Sequence, residues 1–354
     1  MENSRLENRP MNAVVSLFFL SAGSLLMEVV LTRLFSYLFV QSYVYLLLSI
    51  GIAGIGLGAV FVYFLPARAS QRYFTILQFL PAAAAVLLLG INYLRPVLPV
   101  SLFLTLLFFF SIGSGMVKLF QAARAAPGFL YAADLIGAAA GSIGSYFLLQ
   151  AVGAWKAVFI IGLISAFAYL LLLRTIRGLR PVSLLFIPLA AGLLYLGWFT
   201  GVGTRLLPNP KLEKEMTLML EDDQYNPRIT ETRWSAFGRV DMVASDNPLF
   251  KTLFIDGAAG TKMLQMEGGE LDRNLEDNLL FNYIGGLPLF AFYEEGKRPG
   301  NALVLGSGGG IDLVTLLLFG YQDITAVEIN KDFIDLVREH SRYNGGIYDD
   351  HPEI

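Results

Sequence analysis

The chain has 354 residues, 55% of them hydrophobic and 16% charged, with a mean hydropathy of +0.56, values that describe a membrane protein rather than a soluble one. A net charge of −3 gives no electrostatic reason to expect nucleic acid. The absence of cysteine excludes disulfides, thiol nucleophiles and cysteine-held metals, and the only histidines, His340 and His351, sit in the polar C-terminal stretch, which argues against a histidine metal site or a serine–histidine triad.

The apolar segment after Arg9 is too long for a cleavable signal peptide. Seven segments reach the roughly 20 apolar residues that a membrane span needs: 13–40, 42–64, 73–94, 98–120, 129–149, 154–173 and 182–200. Turn and charge signals separate them, among them Pro66-Ala67-Arg68, Arg95-Pro96 and Ala126-Pro127-Gly128. Basic residues fall in alternate connections: Arg5, Arg9, Arg68, Arg72, Lys118, Arg124, Arg174, Arg177 and Arg180 on one side, only Arg95 and Lys156 on the other. The positive-inside rule then places the N-terminus in the cytoplasm.

Glycines recur in the second segment (Gly51, Gly54, Gly56, Gly58) and the fifth (Gly137, Gly141, Gly144). No strand precedes Gly54-x-Gly56, so these read as close helix packing rather than a nucleotide loop. Glu28, Arg33 and Asp134 are charges inside or at the edge of apolar segments, where each needs a partner facing the bundle. Glu28 and Arg33 are about 140° apart around a helix, so they point to different neighbours. Either a polar site for a substrate or proton, or a structural network, accounts for them.

From Met216 to Gln265 the pattern changes to short strands and turns. Gly238 to Val243 alternates, Asp246-Asn247-Pro248 is a turn, and Thr252 to Gly257 is a strand with its exit turn, which together predict a small antiparallel sheet. A helix is expected over 274–292, broken or bent at Gly285-Gly286 and Pro288. Then an apolar run, Ala302 to Leu305, enters the loop Gly306-Ser307-Gly308-Gly309-Gly310, a helical segment follows, and a second apolar run ends in Glu328. Strand, glycine loop, helix, strand and acid in that order form the start of a nucleoside-binding βαβ unit. The loop lets a ligand approach the backbone, and the acid accepts hydrogen bonds from ribose hydroxyls. Asp312 either orients the loop or is a first-turn acid favoured by the helix dipole. The bland alternative for the whole unit is a tight turn that binds nothing.

These residues resemble a known family. Gly306-x-Gly308-x-Gly310 with Val327-Glu328-Ile329 is similar to the cofactor half of S-adenosylmethionine-type transferases. Trp234, Gly238-Arg239-Val240-Asp241 and Phe254-Ile255-Asp256-Gly257 resemble the N-terminal β-region of spermidine synthases. Ser21 to Leu25, Glu28, Arg33 and Tyr131 to Ala138 resemble the membrane domain of membrane-bound spermidine synthase-like proteins. The resemblance implies a multi-pass helical bundle of about seven spans (1–204), a β-rich region (205–272) and the start of a Rossmann-like α/β domain (273–354). It implies S-adenosylmethionine or its decarboxylated form as cofactor, held by Gly306, Gly308, Gly310, Asp312, Glu328 and Asp256, with no metal.

The chain departs from that family at Gly260, where a glutamine is expected, at Leu280-Phe281-Asn282, where a Tyr-His-Glu triplet is expected, and at Gly309, which replaces an acid. The departures point away from putrescine as acceptor, towards another polyamine or a membrane-derived amine. The family's catalytic aspartate lies beyond the position matching Ile354, so the general base is not assigned here and the chain is expected to be the N-terminal part of a longer protein. A nucleoside cofactor favours a cytoplasmic C-terminal half at the cell (inner) membrane, which seven spans would contradict, so either one segment does not span, the favoured reading, or the C-terminal half faces outward. The competing expectations are a transporter or sensor with a nucleoside-binding domain, and an anchor joined to a degenerate transferase. A homo-oligomer is left open.

Overall fold

The computed structural model describes residues 9–40, 42–123, 127–176, 192, 207–209, 214–267, 270–292, 300–352 and 354. The chain divides into two compact units, the first comprising Met1–Leu212 with Trp234–Ala236, the second Glu213–Arg233 with Phe237–Ile354.

The first unit is a helical bundle: α1 (Arg9–Leu38), α2 (Tyr43–Phe64), α3 (Ala67–Leu77), α4 (Leu80–Leu94), α5 (Leu98–Ala122) and α6 (Pro127–Ile176). Pro81 begins α4, where its missing N–H costs no helical hydrogen bond. Among the described residues, five stretches are long and apolar enough to cross a membrane, Met11–Leu38, Tyr43–Phe64, Arg72–Leu94, Leu98–Ala122 and Pro127–Thr175. Exposed Leu57, Val60, Phe61, Ile136, Ile143 and Phe147 present the apolar surface that lipid contact requires. The protein is therefore an integral, multi-pass membrane protein by its helices.

Five stretches stand where seven were expected, and Gly153 accounts for one of the two, because Pro127–Thr175 contains both the expected fifth and sixth segments. A straight α6 would be about 75 Å long at 1.5 Å per residue, far more than a bilayer core of about 30 Å. Gly153, at φ 73° and ψ 167°, breaks it. Along the first arm, Gly137 meets Phe18, Gly141 meets Ala22 and Gly144 meets Leu26, so this arm runs parallel to α1. Along the second, Ser165 meets Gly23 and the Ser16 hydroxyl donates to the Ala168 carbonyl at 2.7 Å, so this arm runs antiparallel to α1. The chain thus turns back at Gly153, and the expected fifth and sixth segments are two helices that meet there within the continuous stretch α6. The expected segment 182–200 lies outside the described residues.

The contacts also repeat. Gly54 and Gly58 of α2 lie against Leu106, Phe110 and Ser114 of α5, in parallel, as Gly137 and Gly141 of the first α6 arm lie against α1. With α1, α2 and α4 taken as one three-helix set and α5 with the two arms of α6 as the other, the second helix of each set packs its glycines on the first helix of the other. The third members, α4 and the second arm of α6, meet at Ala82, Ala85 and Gly162. A Cβ on Gly58 or Gly141 would lie 2.1 Å or 2.4 Å from a backbone oxygen, so the close approach depends on glycine.

The second unit opens with a short helix, α7 (Glu215–Leu220), and a four-stranded sheet in the order β1 (Arg228–Ser235), β2 (Gly238–Ala244), β3 (Phe250–Ile255), β4 (Ala258–Leu264). β2 pairs antiparallel with β3, and β3 with β4 through the two-residue turn Asp256-Gly257. Both turn residues have positive φ, 51° and 72°, the conformation that matches the twist of a tight hairpin. A small pair, β5 (Met266–Glu267) and β6 (Glu270–Leu271), leads to α8 (Arg273–Phe281). Asp272 caps α8 by accepting from Asn274 and Leu275 N–H. α8 ends well before the expected 292: turns at Gly285-Gly286 and a 3-10 segment, Leu287–Phe292, take over.

β7 (Ala302–Leu305) and β8 (Ile324–Val327) form a parallel pair, joined through α9 (Ile311–Leu318) and followed by α10 (Lys331–Glu339) and a single turn, α11 (Ser341–Asn344). One apolar core joins both sheets: Leu253 and Met263 pack with Leu313, Val314, Leu336 and Ile347. That shared core brings β4 up against the loop that follows β7.

Candidate functional site

The glycine loop connects β7 to α9, and its conformation needs glycine at three positions. Gly306, Gly308 and Gly310 have φ of 79°, 52° and 89°, where a Cβ is strained. Gly308 also has no room, because a Cβ would lie 2.8 Å from Thr261 Cγ2. At Gly309 a Cβ would lie 2.5 Å from the Lys262 carbonyl oxygen. β4 therefore crosses the loop at van der Waals distance.

Glu328 follows β8 and reaches the loop. Its Oε2 accepts from the Gly308 N–H at 3.0 Å and its Oε1 from the Asn330 N–H at 2.8 Å. Three further loop amides are engaged: Gly306 N–H donates to the Val327 carbonyl at 2.7 Å, Gly309 N–H to Thr261 Oγ1 at 3.1 Å, and Gly310 N–H to the Ser307 carbonyl at 2.8 Å. Tyr348 closes the other side, its hydroxyl donating to the Gly308 carbonyl at 2.7 Å and lying 2.8 Å from Ser307 Oγ. Burial pushes the Tyr348 phenol up to about 12, so it keeps the proton that it donates. Beside this network lies an open cavity of about 350 Å³, lined by Ser307, Glu328, Arg338 and Tyr348 together with Ile324 and Ile334.

Two residues read from the sequence as site candidates have other partners. Asp312, in the first turn of α9, accepts the Tyr283 hydroxyl at 2.7 Å, and burial together with that bond raises the Tyr283 pKa. Asp256 holds its own hairpin: its Oδ1 accepts the Arg239 N–H at 2.9 Å, and its carbonyl accepts Lys214 Nζ at 2.7 Å. In the bundle, Asp134 of α6 accepts the hydroxyl of Ser21 on α1, while Glu28 and Arg33 lie further along α1, each partly buried.

Two of the substitutions relative to the resembled family, Gly260 and Gly309, have a steric setting. Gly260 donates its N–H to Glu215 Oε2 at 2.9 Å, and a Cβ there would lie 2.7 Å from the Phe254 ring. Gly309 has the Lys262 backbone where a side chain would begin. Sequence reasoning passed over Thr261 and Tyr348, which contact the loop from 48 and 40 residues away in the chain. No local pattern announces either contact.

The chain matches no family model, no curated protein and no solved structure.

Proposed function

We propose that the second unit begins a Rossmann-like cofactor domain and binds an adenosine-type cofactor, S-adenosylmethionine or its decarboxylated form, in a membrane-anchored transferase similar to the spermidine synthase-like proteins. The observation that carries this reading is the engagement of the Gly308 and Gly309 N–H groups by Glu328 and Thr261. Dinucleotide-binding loops keep such amides free for a pyrophosphate. Here a carboxylate stands in that position, and it repels phosphate. Each Glu328 oxygen accepts one backbone N–H and retains a further lone pair, the capacity that ribose hydroxyls need.

The fit to such a cofactor is favourable: loop, carboxylate and the adjoining cavity lie together. When bound, the cofactor supplies an activated alkyl group on a sulfonium centre. The chain's own groups orient it: Glu328 holds the ribose, Gly306 to Gly310 let the backbone come close, and Tyr348 braces the Gly308 carbonyl. Gly260, Asn282 and Gly309 stand where the family holds an amine, so the acceptor in this reading is an amine other than putrescine, a polyamine or a membrane-derived one. The unit works from the cytoplasmic face of the cell membrane. Calorimetric titration of the full chain with both cofactor forms tests the reading, and no heat of binding with either ends it.

The inverted contact pattern of the bundle favours a second reading, transport. Three-helix sets of opposite orientation recur in secondary transporters. Uptake of radiolabelled putrescine into proteoliposomes, lost on Asp134→Asn with cofactor binding unchanged, would support it; uptake no greater than in empty liposomes would remove it.

A further inference from the structure

Thr261 belongs to the antiparallel sheet, yet its side chain serves the glycine loop. Its Oγ1 accepts the Gly309 N–H at 3.1 Å. The same hydroxyl oxygen and Cγ2 lie 2.9 Å and 2.8 Å from where a Cβ on Gly308 would stand. The next residue, Lys262, places its carbonyl 2.5 Å from the corresponding position on Gly309. One strand thus removes a donor from the loop and fills the space above it. Glu328 removes the adjacent donor from the other side, through Gly308. Two successive amides that would otherwise point at an anion are consumed by different parts of the fold.

We propose that Thr261 is a specificity-determining, positioning residue of the loop: by holding the Gly309 N–H it closes the anion cradle, so that the site selects phosphate-free nucleosides over nucleotides. The inference rests on the cofactor reading above and sharpens it, since it assigns the exclusion of phosphate to a residue outside the βαβ unit. A hydroxyl is required because the loop amide needs an acceptor. Serine retains that acceptor. Valine keeps the volume and lacks the acceptor, so it leaves a buried N–H without a partner. Alanine lacks the acceptor and also opens space beside Gly308.

The test uses the full chain in nanodiscs, with S-adenosylmethionine and ADP as probes in calorimetry. Wild type and Thr261→Ser are expected to bind S-adenosylmethionine and to prefer it to ADP. Thr261→Val is expected to bind S-adenosylmethionine about tenfold more weakly, the effect of one lost hydrogen bond. Thr261→Ala is expected to shift the ratio of the two affinities towards ADP by at least about tenfold, because a loop N–H is released to phosphate. Hydrogen exchange over residues 306–312 supplies a readout independent of ligand: faster exchange in the valine variant, with serine restoring wild-type protection. Wild type that binds S-adenosylmethionine, with an unchanged ratio in the alanine variant, overturns the role of Thr261 and leaves the cofactor reading standing. Wild type that binds neither probe overturns both.

Discussion

The carboxylate of Glu328 accepts the backbone N–H of Gly308 at 3.0 Å, which ties the end of β8 to the loop that follows β7. Its second oxygen holds Asn330 N–H, whose residue caps α10 by accepting from Asp332 N–H. One side chain therefore sets the loop and the start of the next helix together. Glu328→Gln puts an amide donor against a backbone donor at one of the two contacts. The expected result is S-adenosylmethionine binding weakened about 10- to 100-fold, in line with about 1.5–3 kcal/mol for a hydrogen bond to a charged group. Circular dichroism should stay at the wild-type value. Calorimetry on the variant decides, and unchanged affinity would show that Glu328 only shapes the loop.

Gly309 is a steric test of how closely β4 lies on the loop. Gly309→Ala adds a Cβ 2.5 Å from the Lys262 oxygen and 2.9 Å from the Met263 nitrogen, and neither backbone atom can rotate away. Overpacking of this kind costs about 1–3 kcal/mol. Gly300→Ala is the control, since nothing lies within 4 Å of its Cβ position. Pulse proteolysis of the second unit across a urea series should place the Gly309 variant at lower urea than wild type. The Gly300 variant should sit within about 0.5 kcal/mol of wild type.

Hydropathy alone located the long apolar helices, because lipid contact writes itself into composition over 20 residues at a time. The break between the expected segments 129–149 and 154–173 was legible too, and Gly153 stands in it; what hydropathy could not show is that both neighbouring helices pack on α1. The small antiparallel sheet was legible from alternation around Gly238 to Val243 and from the Asp256-Gly257 turn. The strand, loop, helix and strand around Gly306 were also local, and the structure has them in that order. What the sequence hid were partners distant along the chain: Thr261 on Gly309, Tyr348 on Gly308, Tyr283 on Asp312. Asp312, read as orienting the loop or as a first-turn acid, also holds a tyrosine.

In the bundle, Gly58 and Gly56 sit on opposite sides of the same question. Gly58→Ala would place a Cβ 2.1 Å from the Phe110 carbonyl oxygen, whereas the Gly56 position has nothing within 4 Å. Close helix approach through small residues is the main cohesion available in lipid. Gly58→Ala is expected to lower the midpoint of thermal unfolding in detergent by several degrees, and Gly56→Ala to leave it unchanged or raise it. Equal midpoints for the two variants would mean that α2 and α5 are not held at this contact.

Lys214 gives the second unit a dependence on pH. Burial lowers its pKa from 10.5 to about 8, and the charge of Asp256 opposes that shift. The folded state thus binds the Lys214 proton less tightly than the unfolded chain does. Between pH 8 and 10.5 the unfolded chain holds more protons, so stability rises with pH across that window and is flat below it. The neutral amine still donates to the Asp256 carbonyl. Hydrogen exchange over the β3–β4 hairpin, corrected for intrinsic rates, should show slower opening at pH 9.5 than at about pH 7.5. Lys214→Met should abolish the difference, and a pH dependence retained in that variant would assign it to another group.

Arg239 and Asp241 form an ion pair within β2, both side chains fully buried, with Arg239 Nη2 2.8 Å and Nε 2.9 Å from Asp241 Oδ1. Thr232 donates its hydroxyl to the same oxygen at 2.6 Å. Asp241→Ala takes the Asp241 carboxylate away from a guanidinium in the interior, and breaking a buried pair from one side costs about 3–5 kcal/mol. Replacing both partners with apolar residues of similar volume, Arg239→Met with Asp241→Leu, removes the desolvation cost along with the attraction. That double variant should therefore lie within about 1–2 kcal/mol of wild type. The comparison, made by pulse proteolysis in urea, separates two roles for the pair. If the double variant is as unstable as Asp241→Ala alone, the arrangement depends on the hydrogen bonds that Arg239 and Thr232 make. If it recovers, the pair contributes little net stability to the sheet that carries Thr261 to the loop.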